Sequence, residues 1–235
     1  KGHKGQKPEV SYSGSVSLSM KKKTQDVMNG DEYRAYIKSL FNENDNAVKA
    51  LGTANTDWQE LIYRKAVSHD HNVTVSGSVK DYLPYRVSLG YTGQQGILKN
   101  SDYNRYTASV NLNPSLLNNH LNLNLNAKGM FSKAKKAENA AIGNAVSFDP
   151  TQSPYGYTSQ RDLAMFGNTE EEIKKNMQQT LHNFGGYFNW LTAAGGLGDP
   201  SWQFTRFKDA PANPLALLEL GNKQAKVKSF IGSAD

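Results

Sequence analysis

The sequence predicts an all-β fold, an antiparallel up-and-down meander, and three observations predict it. Apolar and polar residues alternate over runs of ten or so positions, and those runs follow one another through short turn segments. The composition is polar yet aromatic: 37% hydrophobic residues, 10% aromatic and 12 Tyr among 235 residues. That hydrophobic share lies below the roughly 45–50% of ordinary globular chains, while the aromatic and β-branched content is too high for a disordered one.

The elements follow in order. Val10, Tyr12, Gly14, Val16, Leu18 and Met20 share one face of a period-2 strand whose other face is Ser11, Ser13, Ser15, Ser17 and Ser19. Val73, Val75, Gly77 and Val79 oppose Asn72, Thr74, Ser76 and Ser78, and the short Asp81-Tyr82-Leu83-Pro84 connection leads to Tyr85, Val87, Leu89 and Tyr91 opposite Arg86, Ser88, Gly90 and Thr92, a hairpin. Tyr106, Ala108, Val110 and Leu112 form a fourth run, and after Pro114 and Asn118-Asn119-His120 a fifth carries Leu121, Leu123, Leu125, Ala127, Gly129 and Phe131. The predicted strands are about 9–21, 66–80, 84–94, 103–114, 120–133 and 224–235, with long connections at about 22–65 and 134–223.

No stretch reaches the roughly 20 apolar residues of a membrane-spanning helix, and mean hydropathy is -0.65. A barrel strand needs only about 9–11 residues with alternate ones apolar, so a membrane β-barrel stays open. The apolar face lies against either a second sheet, as in a sandwich, or lipid, as in a barrel, and alternation alone does not choose. Short connections at Asp81–Pro84 and Pro114–His120 alternate with long ones, which gathers the long loops at one end as in outer-membrane barrels. Both ends of the sequence read as cut from a longer chain, and the basic start leads into no apolar signal segment.

The long connections carry helices. Asn29-Gly30-Asp31 starts one that runs to Phe41, Thr56 with Gln59 forms a capping box for a second around Trp58–Ile62, and Thr169 with Glu172 caps a third to about His182.

Chemistry-bearing motifs are sparse. There is no cysteine, hence no thiol nucleophile, and no nucleophile elbow, zinc-protease helix or phosphate-binding glycine loop. The chain reads as a non-enzyme without cofactor or metal. His69 and His71 share a strand face, where packing near a strand end is the simpler account than a metal site lacking a third ligand. The net charge of +6 concentrates in Lys21-Lys22-Lys23 and Lys133-Ala134-Lys135-Lys136, read as a solvated rim meeting lipid phosphates rather than as a nucleic-acid surface. The last connection is rich in rings, among which Tyr155, Tyr157, Trp190 and Trp202 are the candidate substrate or partner contacts.

Several segments together resemble one family. Lys4-Gly5-Gln6-Lys7-Pro8 before a strand, Asn55-Thr56-Asp57-Trp58-Gln59 leading to His71-Asn72-Val73-Thr74-Val75-Ser76-Gly77, Tyr85-Arg86-Val87-Ser88-Leu89-Gly90-Tyr91, Gln95-Gly96-Ile97-Leu98-Lys99-Asn100-Ser101-Asp102-Tyr103 with Arg105-Tyr106, then Asp149-Pro150 and Asn213-Pro214-Leu215-Ala216-Leu217-Leu218-Glu219 are similar, in order, to SusC-like TonB-dependent transporters of the Bacteroidetes outer membrane. The resemblance implies part of a 22-stranded transmembrane barrel with long, partly helical extracellular loops. Residues 1–8 would close the plug or its linker, and residues 9–235 would begin the barrel. It further implies active import of glycans or peptides, a SusD-like surface lipoprotein, TonB acting through an upstream plug, and outer-membrane lipid as surroundings. The rival from the residues alone is a soluble, secreted β-sandwich that binds carbohydrate.

Overall fold

The structure, a computed structural model, describes residues 5, 7–118, 120–194, 203–207 and 209–235. In chain order these form β1 (Glu9–Ser19), α1 (Gly30–Leu40), α2 (Asn46–Lys49), α3 (Trp58–Ile62), β2 (Ala66–Val79), β3 (Leu83–Gln95), β4 (Asp102–Leu112), β5 (Ser115–Leu116), β6 (Leu121–Asn122), β7 (Leu125–Lys136), α4 (Ala140–Ser147), α5 (Gln160–Phe166), α6 (Glu170–Asn183), β8 (Leu191–Ala194), β9 (Gln203–Arg206), α7 (Pro214–Glu219) and β10 (Lys223–Ala234). The chain divides into two compact units, Lys1–Lys21 with Lys65–Lys136 and Asn222–Asp235, and Lys22–Arg64 with Ala137–Gly221.

The first unit is a six-stranded antiparallel sheet in the order β1-β2-β3-β4-β7-β10, the meander that the alternation predicts. Ser19, Ala66, Gln95, Asp102, Lys136 and Lys223 all stand at one end of it, so both long connections leave and return there. The fifth long strand starts at Leu125, later than the expected 120. Pro114 has no N–H to extend the β4 ladder, and its carbonyl accepts from Leu123 N–H (3.0 Å). Leu121 and Asn122 pair instead with Leu116 and Ser115. Among the described residues no second sheet covers the apolar face: Val10 is 68% exposed, Val16 73% and Leu89 58%. The sandwich reading is thereby set aside.

The second unit holds the hydrophobic core. Among the described residues every buried apolar side chain except Ala66, Pro84 and Leu98 belongs to it, with Ile62, Phe166, Phe188, Leu215 and Leu218 at its centre. Segments far apart in sequence are stitched by hydrogen bonds. The Trp58 indole donates to the Asp149 carbonyl (2.9 Å), Thr56 N–H to Pro150 O (2.8 Å), and Ala54 N–H to Thr151 O (3.0 Å). Gly52 lies so close to the second segment that a Cβ would stand 2.2 Å from Thr151 O, which only glycine permits.

The helix caps show both what local sequence dictates and what it does not. Asn29 with Glu32, and Thr169 with Glu172, form complete capping boxes. The exposed Glu172 carboxyl is held below its usual range by the N–H groups of Asn168 and Thr169 and by the Thr169 hydroxyl. The box expected from Thr56 and Gln59 does not form. The Thr56 hydroxyl donates to Gln152 O (2.7 Å), Gln59 exchanges two bonds with the Gln25 backbone, and Asp57 caps α3 through Glu60 N–H (2.9 Å). A bond to a distant segment outcompetes the local one.

Asn213, fully buried, joins three segments. Its Oδ1 accepts from Leu215 and Ala216 N–H at the start of α7, and its Nδ2 donates to Pro154 O (3.0 Å) and Phe188 O (3.1 Å). Asn213→Ala removes a cap worth about 1 kcal/mol and strands buried carbonyls at about 1–3 kcal/mol. The expected outcome is markedly faster protease cleavage within residues 137–221 than in the unsubstituted protein, and equal cleavage rates would contradict the clamp.

Tyr157 is buried, and its hydroxyl donates to Asn189 O (3.1 Å) and accepts from Asn189 N–H (3.2 Å). Burial raises its pKa well above the usual 10, with the Asp162 charge adding to the rise and the Asn189 N–H opposing it. The unfolded chain therefore releases this proton near pH 10 while the folded chain keeps it, so stability present below pH 10 declines above it. Unfolding midpoints measured from about pH 8 to 11 should fall at the alkaline end, and Tyr157→Phe should flatten that fall.

Candidate functional site

Two surfaces carry the chemistry, and each lies within one unit. In the second unit the ring of Phe148 is the hub of an aromatic cluster, 4.6 Å from Trp58, 6.0 Å from Trp190 and 6.1 Å from Phe188 between centroids. Tyr157 extends the cluster to Phe188 (4.9 Å) and Phe166 (5.0 Å). Such pairs contribute about 0.5–1.5 kcal/mol each beyond their burial, so most rings of this connection pack against one another.

Beside the cluster is a cleft of about 430 Å³, lined among others by Tyr33, Leu51, Asp149, Arg161, Trp190 and Phe207. That volume falls in the range of small-molecule pockets. Trp190 is half-buried, with the Arg161 guanidinium carbon 5.7 Å from its ring centre. Arg161 is held in place by buried Asp162, whose Oδ1 accepts from its Nε (3.2 Å) and Nη2 (3.0 Å). The Asp149 carboxylate is fully engaged by Thr151 and the Gln152 amide. Burial, with the Asp149 charge adding to it, raises the phenol of Tyr33 on the cleft wall. The lining offers ring faces and one cation, a surface for stacking and charge contact, with no paired nucleophile and base.

The four candidate contacts fall in different places. Trp190 lines the cleft, whereas Tyr157 is buried in the ring cluster. Tyr155 is 56% exposed, its ring 5.6 Å from that of Tyr187, whose hydroxyl donates to Glu219. Burial first, then that carboxylate, pushes the Tyr187 phenol up. Trp202 lies outside the described residues. Arg161 and Asp162 do not stand out in the sequence, because nothing in local spacing announces that a helix N-terminal pair will meet a tryptophan 29 positions on.

The second surface is the apolar face of the sheet. Antiparallel register lines its residues into rows across the strands, and one row is His71, Tyr91, Tyr106 and Phe131. Their rings are in sequence contact, Tyr91 4.8 Å from Tyr106 and Tyr106 6.3 Å from Phe131, while His69 sits 5.2 Å from His71 and 5.4 Å from Tyr91. Tyr12 shares a hydrogen bond between its hydroxyl and His71 Nδ1 (2.7 Å). The two histidines are therefore members of an aromatic stripe. Toward one end of the strands the next rows turn polar on β3, β4, β7 and β10, with Asn104, Lys133 and Lys226, then Gln95, Asp102 and Lys135; toward the other lie Val73, Leu89, Ala108, Val75, Val87 and Val110. The stripe is not legible in the sequence, because its members share a row only once the registers are known.

No protein-family model matches the chain. It is similar to the TonB-dependent receptor SusC of Bacteroides thetaiotaomicron, with 46% identity over 236 aligned positions that take in 100% of this chain and 21% of that protein. It is also similar to TonB-dependent receptor P3 of Formosa agariphila, at 28% identity over 161 residues, 68% of this chain and 15% of that protein. Among solved structures, the RagAB peptide transporter gives a TM-score of 0.47 at 16% identity over 57% of this chain and 19% of its own. The same importer in its open-open state gives 0.48 at 17% identity over 58% and 19%. The chain thus spans about a fifth of the length of the relatives it matches. Aligned along its whole length at 46% identity and folded as an antiparallel meander, it belongs to the SusC-like TonB-dependent receptors and carries a stretch of their β-barrel.

Proposed function

We propose that the chain forms part of the wall and two loops of an outer-membrane importer that takes up glycans or peptides with a SusD-like surface lipoprotein. TonB acts through a plug upstream of these strands, and the chain itself performs no chemistry. Residues 1–8 end the plug or its linker and residues 9–235 begin the barrel. The apolar sheet face meets lipid, and Ser11, Ser13, Ser88, Ser109 and Asn111 on the other face border a watery lumen. The long connections form the substrate side, where Trp190 and Tyr155 offer ring faces to the cargo.

The observation that carries this reading is the slanted edge of the apolar band. On β1 and β2 apolar residues run up to Leu18 and Val67, which are paired in register. On β3, β4 and β7 they stop at Tyr91, Tyr106 and Phe131, four residues lower, and on β10 at Phe230, six residues lower. Six residues at about 3.3 Å, set against five strand spacings of about 4.8 Å, give a slope near 40°. Strands of transmembrane barrels tilt by about 35–45°, so a flat membrane boundary drawn across tilted strands produces this staircase.

Neighbouring residues on opposite faces provide the test. In the full-length parent, Leu89→Arg places a charge in the band at a cost of about 2–4 kcal/mol, whereas Ser88→Arg puts the same side chain on the lumen side. The first variant should lower the amount of folded protein in the outer-membrane fraction and the second should leave it near the unsubstituted level. Equal effects of the two would defeat the reading.

A further inference from the structure

The band ends in a feature that barrel architecture does not require. Lys133 and Lys226 stand directly opposite one another in register on the apolar face, and Lys228 lies opposite Phe131 in the row below. Lys135 follows on the same face, its Nζ donating to Asn100 Oδ1 (3.0 Å). Like charges placed opposite across a ladder are destabilising. Lys133, Lys226 and Lys228 are exposed, and the one carboxylate in these rows, Asp102, is registered with Lys135 rather than with the other three.

Immediately below them is a groove of about 710 Å³ on the same face, lined by residues that include Val73, Leu89, Ala108, Gly129, Phe131 and Lys228. Its floor is low because the small residues Ala108 and Gly129 are adjacent in register, and a Cβ on Gly129 would meet nothing within 4 Å. The groove is almost wholly apolar until it reaches the ammonium group of Lys228.

We propose that this groove and the three lysines form a specific site for a phosphorylated lipid of the leaflet on the loop side. One acyl chain lies over Gly129 and Ala108, and the headgroup phosphate rests among Lys228, Lys226 and Lys133. Hydrocarbon in the groove and an anion at its mouth match the two chemistries in the order in which an amphiphile carries them. Three lysines at adjacent register positions, with no carboxylate registered opposite them among the described residues, are stabilised by an anion from outside. The inference rests on the lipid-facing reading of the sheet and goes beyond it in assigning a discrete site.

The test uses the full-length parent in nanodiscs of phosphatidylcholine with a minor fraction of lipid A, and native mass spectrometry to count retained lipid A. The expected result is salt-sensitive retention of lipid A by the unsubstituted protein. Retention should drop about 100-fold in the Lys133→Ser, Lys226→Ser, Lys228→Ser triple variant, from about fivefold per lysine near a charged surface. Gly129→Leu, which fills the groove but keeps the charges, should lower it about tenfold. Retention equal to the unsubstituted protein in either variant overturns the site while leaving membrane insertion intact. A second copy of the protein crosslinked across Gly129 also overturns it. A parent that stays in solution without detergent or nanodisc overturns both this site and the lipid-facing reading.

Discussion

An apolar sheet face that its own chain leaves uncovered governs the rest of this structure. Burying a Val, Leu or Phe side chain is worth about 1.5–3 kcal/mol, and here Val10, Val16, Leu18, Leu89 and Phe230 are all more than half exposed. In water that face, with free edges on β1 and β10, is an aggregation surface. In hydrocarbon the same face is at no disadvantage, and the backbone of the four inner strands is satisfied by the ladders on either side. The aromatic stripe belongs to this logic. Tyr and His have an apolar body and a polar tip, and rows of them suit the level where hydrocarbon gives way to headgroups. The rings also shield small positions: a Cβ on Gly14 would strike the Tyr12 ring, and one on Gly93 the ring of His69.

The second unit solves the opposite problem. It is made of connections, yet it holds nearly all the buried apolar side chains. Its short helices, some of only four to six residues, are too short to be stable by propensity. They stand because their ends and flanks are bonded to distant backbone. Trp58 to Asp149, Gln152 to Ala50 and Asn213 to Pro154 and Phe188 are such bonds. The segments that carry the family resemblance, around Trp58, Asp149 and Asn213, coincide with these stitches, so those motifs hold the loops in shape. A rigid frame of this kind fixes where Trp190 and Arg161 present themselves, which mobile loops of the same composition would not do.

Legibility in the sequence divides along the same line. Period-2 alternation is a local property, so β1, β2, β3 and β4 are readable, as are the capping boxes at Asn29 and Thr169, which involve side chains three residues apart. The failures are all long-range. Thr56 looks like a cap until Gln152, 96 residues away, takes its hydroxyl. Leu121 alternates correctly with Leu123 and Leu125 but pairs with Leu116 instead, because Pro114 interrupts the ladder. The histidines look isolated because the tyrosines and phenylalanine of their stripe are spread over strands whose registers no local pattern states. Of the candidate contacts, Tyr157 and Trp190 both lie in ring-rich stretches of one long connection, and only the fold distinguishes a core ring from one facing a cleft.

A mean hydropathy of -0.65 and a continuous exposed apolar sheet face are compatible once the residues are assigned to their rows. A sheet strand turns only every second residue to each side, so half of each strand is free to be Ser, Asn, Thr or Lys, as it is on β1 and β4. On β3, β4, β7 and β10 the band stops at or below the stripe, and the positions beyond it include Gln, Asn, Asp and Lys. The connections add charged helices such as α6, with Glu170, Glu171 and Glu172 in its first turn, where the helix dipole favours them. Averaging over these populations erases the signal that each strand carries by itself. Position within a register, rather than composition, therefore separates the residues of the apolar band from the rest.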